Sequence, residues 1–291
     1  MAILLFLHSI NRKFKPFVMK KYLIACAMLM LCASMHAQKS VNLTEPGTLS
    51  AQLNAAERQS ITSLKIAGPL NGTDMLLLRT MAGANGTAGH LSELDLSEAT
   101  MVKGGDCYSA GKEQQNAYTQ DNALSTRLFY GCGALRRVVI PNTVRRVSND
   151  AFSACPALEE IAVDDNPLFI SIDGMLMRHD STLIYRCPQG RKLTSLVVAQ
   201  GVKQIYPSAF RGIATLTEVV LPATIQGVND MAFWGCPKIS VIRIETPNPP
   251  AMENAFDAAV LANARLVVPK GAAERYRSKA GWENFKHVSE E

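Results

Sequence analysis

The sequence predicts a repeat solenoid of the α/β type, in which each turn of a coil adds one short strand to a parallel sheet. Phenylalanine recurs at intervals of 23, 58, 23 and 23 residues, at Phe129, Phe152, Phe210, Phe233 and Phe256. Each of the first four phenylalanines is followed in the sequence by a variant of one apolar template: "ALRRVVIP", "ALEEIAV", "TLTEVVLP" and "KISVIRIE". The alternation of apolar and variable residues at its end is typical of a strand with one buried face.

Further copies of the template raise the count to about eight strands: "ITSLKIAG", "LSELDLSE", "LTSLVVA" and "NARLVVP". A shorter apolar pair follows most strands and predicts an opposite wall of the coil, as at Val202 and Ile205 and again at Ile225 and Val228. One such unit cannot bury its own apolar face, so the copies must stack, and the phenylalanines are expected to form a buried column.

The pattern "AFxxCxxLxxIxIPxxVxxIxxxAF" resembles the BspA-like branch of the leucine-rich repeat proteins, which are bacterial surface and exported proteins of the Bacteroidetes type. The resemblance extends roughly over 61–288 and is strongest over 129–256. It implies a right-handed leucine-rich repeat coil of about 23 residues per turn, with a parallel sheet on one face. The long interval contains "FISIDGMLMRHDSTLIYRC", similar to an insertion of that family, and its Asp173-Gly174 pair is a hairpin turn signal.

The N-terminal stretch "MKKYLIACAMLMLCASMHAQ" has a basic start, a short apolar run and a small residue before Gln38, which is the pattern of a secretory signal peptide. We therefore expect a true start at Met19 and cleavage after Ala37. Cys32 is a candidate for lipidation, but Leu31 stands where a lipobox needs a small residue. The predicted divisions are a signal peptide at 1–37, an N-terminal capping segment at 38–60, the repeat domain at 61–269 with a hairpin insertion near 167–187, and a C-terminal cap at 270–291.

Both ends of the repeats carry sequences suited to closing a solenoid. Thr48 is the predicted N-cap of a helix with apolar spacing at Leu49 and Leu53. At the other end, Tyr276, Trp282 and Phe285 are expected to form a hydrophobic lid similar to the terminal "GW..F" module of many such exported proteins.

The charge distribution argues against a nucleic-acid partner. The net charge of +5 comes entirely from the first 37 residues, which hold five basic and no acidic residues. The remainder balances 25 basic against 25 acidic residues and has no basic run. A nucleic-acid surface needs a local surplus of Lys and Arg.

The five cysteines beyond the leader leave at least one thiol without an intramolecular partner. Cys132, Cys155 and Cys236 share a repeat position with Ile213 and Ala259, which favours small buried core residues. A Cys132–Cys155 disulfide and a metal site remain alternatives, and the sequence does not indicate whether Cys107 and Cys187 pair.

No catalytic motif or cofactor motif is present, so we expect neither an enzyme nor a cofactor. The histidines after the leader, His90, His179 and His287, lack metal-ligand spacing. Glu159 and Glu160 are adjacent on a strand and point to opposite sides, unlike a glycosidase pair.

Candidate partner-binding residues are the variable positions on the strands. Between the last two core residues of each rung lies an apolar row, and two positions earlier lies a charged and mixed row; together they give Arg137, Val139, Glu160, Ala162, Ser195, Val197, Glu218, Val220, Val241 and Arg243. The rows fit a strip that binds protein. They also fit ordinary strand residues whose charges pair between rungs, as Arg137 with Glu160 would.

The resemblance implies an adhesion or binding function with protein partners, of which host extracellular-matrix and bacterial surface proteins are the expected classes. A carbohydrate-binding or scaffold role at the cell envelope is the alternative. Aromatic platforms would favour sugar, and the strand rows carry none. The nearest aromatic candidates are Tyr130 and Trp234, directly after repeat phenylalanines.

Overall fold

Helices are few and short in the computed structural model, which describes residues 38–110 and 116–291. They are α1 (Leu49–Gln52), α2 (Ala55–Ser60), α3 (Gly72–Met81), α4 (Ala258–Asn263) and α5 (Ala273–Arg277), with single 3-10 turns at Ala84–Gly86, Gln189–Arg191 and Trp282–Asn284. Within these described ranges, no helix has the length and apolarity needed to cross a bilayer. The expected leader at 1–37, its start at Met19, its cleavage site and lipidation at Cys32 lie outside the described residues.

Short strands make up most of the regular structure. They are β1 (Lys39–Asn42), β2 (Ser63–Leu70), β3 (Glu93–Asp95), β4 (Ala99–Met101), β5 (Gly104–Ser109), β6 (Ala117–Thr119), β7 (Ala123–Leu124), β8 (Arg137–Val139), β9 (Arg146–Val147), β10 (Glu160–Ala162), β11 (Phe169–Ile172), β12 (Met175–Arg178), β13 (Leu183–Arg186), β14 (Ser195–Val197), β15 (Gln204–Ile205), β16 (Glu218–Leu221), β17 (Gly227–Val228), β18 (Val241–Ile244), β19 (Ala251–Met252), β20 (Arg265–Val268) and β21 (His287–Glu290).

The eight predicted strands are present, and they are divided between two parallel ladders. The first ladder has the order β1-β2-β3-β8-β10, with β4 beside the end of β2, and the second has the order β14-β16-β18-β20-β21. Arg137 lies opposite Glu160 and Glu218 lies opposite Val241, each pair 23 positions apart in the chain. The flanking strands β1 and β21 extend the ladders beyond the predicted copies.

A third sheet, β11-β12-β13-β15-β17-β19, contains the predicted opposite wall. Ile205 pairs with Val228 in this wall, in parallel register. Its first three strands are antiparallel and come from the long interval between Phe152 and Phe210. Two small pairs complete the strand set, antiparallel β5-β6 and parallel β7-β9.

The phenylalanines form the expected buried column, and it has one break. Phe129 stacks on Phe152 with ring centroids 5.2 Å apart, and Phe210, Phe233 and Phe256 stack in series at 5.1 Å. Each ring is at most 2% exposed. Burial of one such side chain stabilises the fold by roughly 1.5–3 kcal/mol, so the column is a main part of the core.

Cys187 holds the position of the phenylalanine in the coil at the break in the column. Its N–H donates to the carbonyl of Ala209, as the N–H groups of Phe129 and Phe210 donate to the alanine of the following coil. The preceding Arg186 occupies an alanine position and is only 2% exposed. Its guanidinium donates to the carbonyls of Ser208 and Phe152. The long interval therefore substitutes a cysteine and a buried cation for the usual Ala-Phe pair.

Thr48 stands at the N-cap position of α1, as predicted, but its side chain does not cap the helix. The Thr48 hydroxyl donates to the carbonyl of Glu45, and the carboxylate of Asp74 accepts the N–H groups of Gly47 and Leu49 instead. Asp74 also accepts the N–H of Asn71 at the start of α3. A capping residue thus comes from a helix that is distant in sequence, which a local motif search cannot detect.

The C-terminal aromatic residues pack against the end of the phenylalanine column. Tyr276 and Trp282 are fully buried and Phe285 is nearly so. The Phe285 ring meets Phe256 edge-on at 5.6 Å, and the indole N–H of Trp282 donates to the carbonyl of Pro250 at 2.8 Å. These contacts cover the last phenylalanine, as the sequence predicts for the lid.

Candidate binding surfaces

The charged side chains of the two strand rows largely pair with one another. Arg137 Nε lies 2.8 Å from Glu160 Oε2, which confirms the predicted pair between neighbouring rungs. In the second ladder Arg243 pairs with Glu218 at 3.3 Å and also contacts Glu291. Such surface pairs contribute little to stability, but they leave fewer charges available to a partner.

The apolar row is not a continuous exposed strip. Val139 and Ala162 are only 2% and 5% exposed, whereas Val197 is 71% exposed. Val220 and Arg243 are half-buried. The accessible apolar part of the row therefore belongs to the second ladder.

The row is interrupted because β10 and β14 do not pair. The hairpin turn after β11 lies against β10: Ile161 N–H donates to the carbonyl of Gly174 at 2.9 Å, and the Ser171 hydroxyl donates to the carbonyl of Ile161. Gly174 has a φ of +70°, and a Cβ there would approach the carbonyl oxygen of Glu159 to 3.0 Å. The insertion thus occupies the edge where the next rung would continue the sheet.

Strand β14 is consequently the edge of the second ladder, and it carries the exposed Val197. Half-buried Val220 lies opposite Val197 on the neighbouring strand β16. On the next strand, β18, half-buried Val241 lies opposite Glu218, and Arg243 lies opposite Val220 and forms an ion pair with Glu218. The residues Val197, Glu218, Val220, Val241 and Arg243 are called the second-ladder face below.

The repeat cysteines behave as core residues, as predicted. Cys132, Cys155 and Cys236 are fully buried, and none of the five cysteines in the described ranges forms a disulfide. The thiols of Cys155 and Cys236 donate to the carbonyls of Phe129 and Phe210. Burial raises the pKa of Cys132 to about 12 and that of Cys155 and Cys236 to about 11, which keeps these thiols protonated.

Titratable side chains in the described part of the chain do not converge on a metal site. No group of three or more His, Cys, Asp or Glu there has the geometry to hold an ion. Glu159 and Glu160 each pair with an arginine of the preceding rung, Arg136 and Arg137.

Two cavities lie near the turns that contain the phenylalanines of the column. The larger, about 670 Å³, is lined by residues of 116–127 and 146–150. The second, about 380 Å³, includes both Tyr130 and Trp234 in its walls. The aromatic residues singled out from the sequence as sugar-platform candidates therefore share one cavity, although 104 residues separate them in the chain.

Comparison with known proteins gives a family match and distant structural similarities. The model of the BspA type leucine rich repeat region matches residues 119–176 and 184–266 in six copies. None of the curated protein sequences is similar to this chain. A leucine-rich repeat protein from Eubacterium ventriosum ATCC 27560 is 13% identical with a TM-score of 0.40, covering 80% of this chain and 67% of that one.

Two further solved structures are similar to this chain. The pneumococcal vaccine antigen PcpA is 11% identical with a TM-score of 0.37, and 82% of each chain is covered. A leucine rich cell surface protein from Faecalibacterium prausnitzii A2-165 is 15% identical with a TM-score of 0.39, covering 87% of this chain and 79% of that one.

Proposed function

Because the repeats at residues 119–176 and 184–266 belong to the BspA-type leucine-rich repeat family, we propose that this chain is an exported, noncatalytic module that binds a protein partner on its second-ladder face. Repeat proteins of this kind use stacked strands as an extended binding surface. The partner classes we propose are host extracellular-matrix proteins and bacterial surface proteins, with an adhesive role.

The observation that carries this proposal is the exposure of Val197 on an edge strand. Val197 is 71% exposed and lies opposite half-buried Val220, so the two valines form an apolar pair at the edge of the ladder, bordered by the Glu218–Arg243 ion pair. Apolar centres with polar rims are typical of protein interfaces. The free edge of β14 also offers backbone groups to an extended segment of the partner, since added strands pair with exposed sheet edges.

Export and coil geometry belong to the same proposal. The basic start and apolar run before Gln38 support a signal peptide. Rung partners 23 positions apart support a repeat of about that length. A right-handed coil is the expected hand for parallel strands joined by crossovers, and α1 and α2 supply the helical part of the proposed N-terminal cap.

Site-specific photocrosslinking tests the second-ladder face. A photoreactive phenylalanine analogue at position 197 is expected to crosslink a protein from matrix or cell-surface extracts. The same analogue at Lys203, an exposed residue before β15 of the opposite wall, is the matched control. We expect a discrete adduct from position 197 and none from position 203.

Substitution separates specific binding from incidental capture. Val197→Lys together with Val220→Glu places charges on the apolar centre and should abolish the adduct formed from a neighbouring position, Ser195. An adduct of equal yield in this variant, with an unchanged circular dichroism spectrum, would falsify binding at this face.

A further inference from the structure

The smaller cavity lies where successive coils present the residue that follows the phenylalanine. Tyr130, Ser153, Arg211 and Trp234 are the residues directly after Phe129, Phe152, Phe210 and Phe233, and all four line the same cavity of about 380 Å³. Stacking of the coils places this position at the same point of each turn. The cavity is therefore a product of the repeat register, and its size falls within the range of small-molecule sites, about 300–1,000 Å³.

Arg186 lies in the wall of this cavity, at the break in the phenylalanine column. It is 2% exposed, and its guanidinium donates to two main-chain carbonyls, those of Ser208 and Phe152. Its Nε has no hydrogen-bond partner among the described residues. Burial lowers the pKa of Arg186 to about 10, so the side chain remains a cation at neutral pH. A buried cation neutralised only by carbonyl dipoles favours an anion nearby.

The cavity lining contains more cationic than anionic side chains. Three arginines contribute to its lining, Arg127, Arg186 and Arg211, against one carboxylate, Asp150. Asp150 already accepts hydrogen bonds from the Arg127 backbone N–H and the Ser148 hydroxyl. Arg211 is exposed and forms none of the ion pairs found in the described ranges. The lining thus carries a surplus of positive charge.

Hydroxyl and aromatic groups complete the wall. Ser153 is buried, and its hydroxyl has no hydrogen-bond partner among the described residues. Tyr130 is 40% exposed and Trp234 is half-buried, so each offers part of its ring to solvent. A few polar groups set among aromatic side chains are the usual composition of a small-molecule site, and guanidinium groups are suited to carboxylate and sulfate oxygens.

We propose that this cavity binds an acidic saccharide, whose carboxylate or sulfate group lies at Arg211 and Arg186 while its sugar ring packs on Trp234. The site shares no residue with the second-ladder face. Saccharide binding in the cavity therefore does not depend on the protein-binding function proposed above. An experiment can contradict one of the two proposals without contradicting the other.

Tryptophan fluorescence of the full chain gives a direct test, because the sequence contains only Trp234 and Trp282. Trp282 is fully buried, so a ligand-dependent change reports on Trp234. Titration with a heparin-derived disaccharide and with digalacturonic acid should give a saturable change with at least one of them. The sulfated and carboxylated probes distinguish the two anion types. Maltose, the neutral control, should give no change, and Trp234→Phe should remove the signal.

Substitution of single arginines tests whether the saccharide probes bind in this cavity. Calorimetric titration of Arg211→Gln should show a Kd raised about tenfold, as expected for loss of one hydrogen bond to a charged group. Arg145→Gln is the matched control, because Arg145 is exposed and does not line the cavity; its Kd should equal that of the unmodified chain.

Three results would each overturn the proposal. The first is equal Kd values for Arg211→Gln and Arg145→Gln. The second is binding of maltose as tight as that of the acidic probes. The third is binding of sodium sulfate as tight as that of the disaccharides, which would indicate a simple anion site.

Discussion

Two buried arginines mark places where the repeat pattern is interrupted. Arg79 of α3 donates from Nε to the carbonyl of Tyr108 and from one terminal nitrogen to the carbonyls of Arg127 and Leu128, directly before the first phenylalanine of the column. Arg186, within the break, donates from its two terminal nitrogens to the carbonyls of Ser208 and Phe152. Both cations are surrounded by main-chain carbonyls that accept their N–H groups, which explains how charged residues can occupy core positions.

Cysteine reactivity should follow burial. Cys132, Cys155, Cys187 and Cys236 are fully buried and burial raises the pKa of each, whereas Cys107 is partly exposed. Because the thiolate is the reactive species, iodoacetamide at pH 8 should label Cys107 in the folded chain and leave those four unmodified until denaturant is added. Peptide mapping by mass spectrometry reads each site separately. Equally fast labelling of Cys155 and Cys107 would contradict the burial described here.

At the residue scale, periodic sequence features predicted the structure well and isolated ones did not. Phe233 and Cys236 were assignable to the core because each recurs at the same repeat position. Arg79 and Arg186 have no counterpart in other copies, and a lone arginine in a sequence usually indicates the surface. Their burial depends on carbonyls brought close by the fold, which no sequence spacing encodes.

At the element scale, the N-terminal helices depend on Asp74. Its buried carboxylate accepts the N–H groups of Gly47, Leu49 and Asn71, at distances of 2.6 to 3.0 Å. Asp74→Ala should lower the free energy of unfolding by about 3 kcal/mol, because three donors lose a charged acceptor. Urea denaturation followed by circular dichroism measures this change.

Thr48→Ala is the matched control for that prediction. The Thr48 hydroxyl is exposed and donates only to the carbonyl of Glu45, so its removal should change the free energy of unfolding by less than about 0.5 kcal/mol. Equal changes in the free energy of unfolding for the two substitutions would indicate that the Thr48 side chain caps α1, and would refute the role given to Asp74.

The turn between β12 and β13 is expected to weaken in acid. Hydrogen bonds from Arg178 and from the Thr182 backbone and hydroxyl hold the pKa of the exposed Asp180 well below its ordinary value of 3.8. A depressed pKa adds stability that is present above the unfolded value, about 4, and is lost as the pH falls below it. The difference in Tm between the unmodified chain and Asp180→Asn should therefore be largest at pH 7 and narrow below about pH 4.

Asp173→Asn serves as the comparison for Asp180, because Asp173 is an exposed aspartate in the preceding hairpin turn. Its effect on Tm is measured at the same pH values. If both substitutions gave parallel pH profiles, the contacts of Asp180 would have no part in the acid response.

At the scale of the whole molecule, the long interval divides the apolar core. Buried residues from Val41 to Leu176 form one cluster, and those from Met177 to Phe285 form another. The boundary falls between adjacent residues of β12, whose side chains point to opposite faces of the strand. The 58-residue spacing indicated an insertion in the sequence, but the templates on either side looked alike, so a continuous ladder was the wrong expectation. Only the placement of the hairpin against β10 reveals the division.

Leu176 and Met177 should therefore stabilise different halves of the molecule. Leu176 is fully buried and Met177 is 4% exposed, so truncation of either to alanine should cost roughly 2–5 kcal/mol. In a stacked array each unit contacts mainly its neighbours, and a local loss should remain local. Hydrogen exchange should increase chiefly over 61–162 in Leu176→Ala and over 195–268 in Met177→Ala. Uniform loss of protection along the chain in both variants would mean that the two clusters unfold as one cooperative unit, and that the hairpin joins the ladders mechanically although it interrupts their hydrogen bonding.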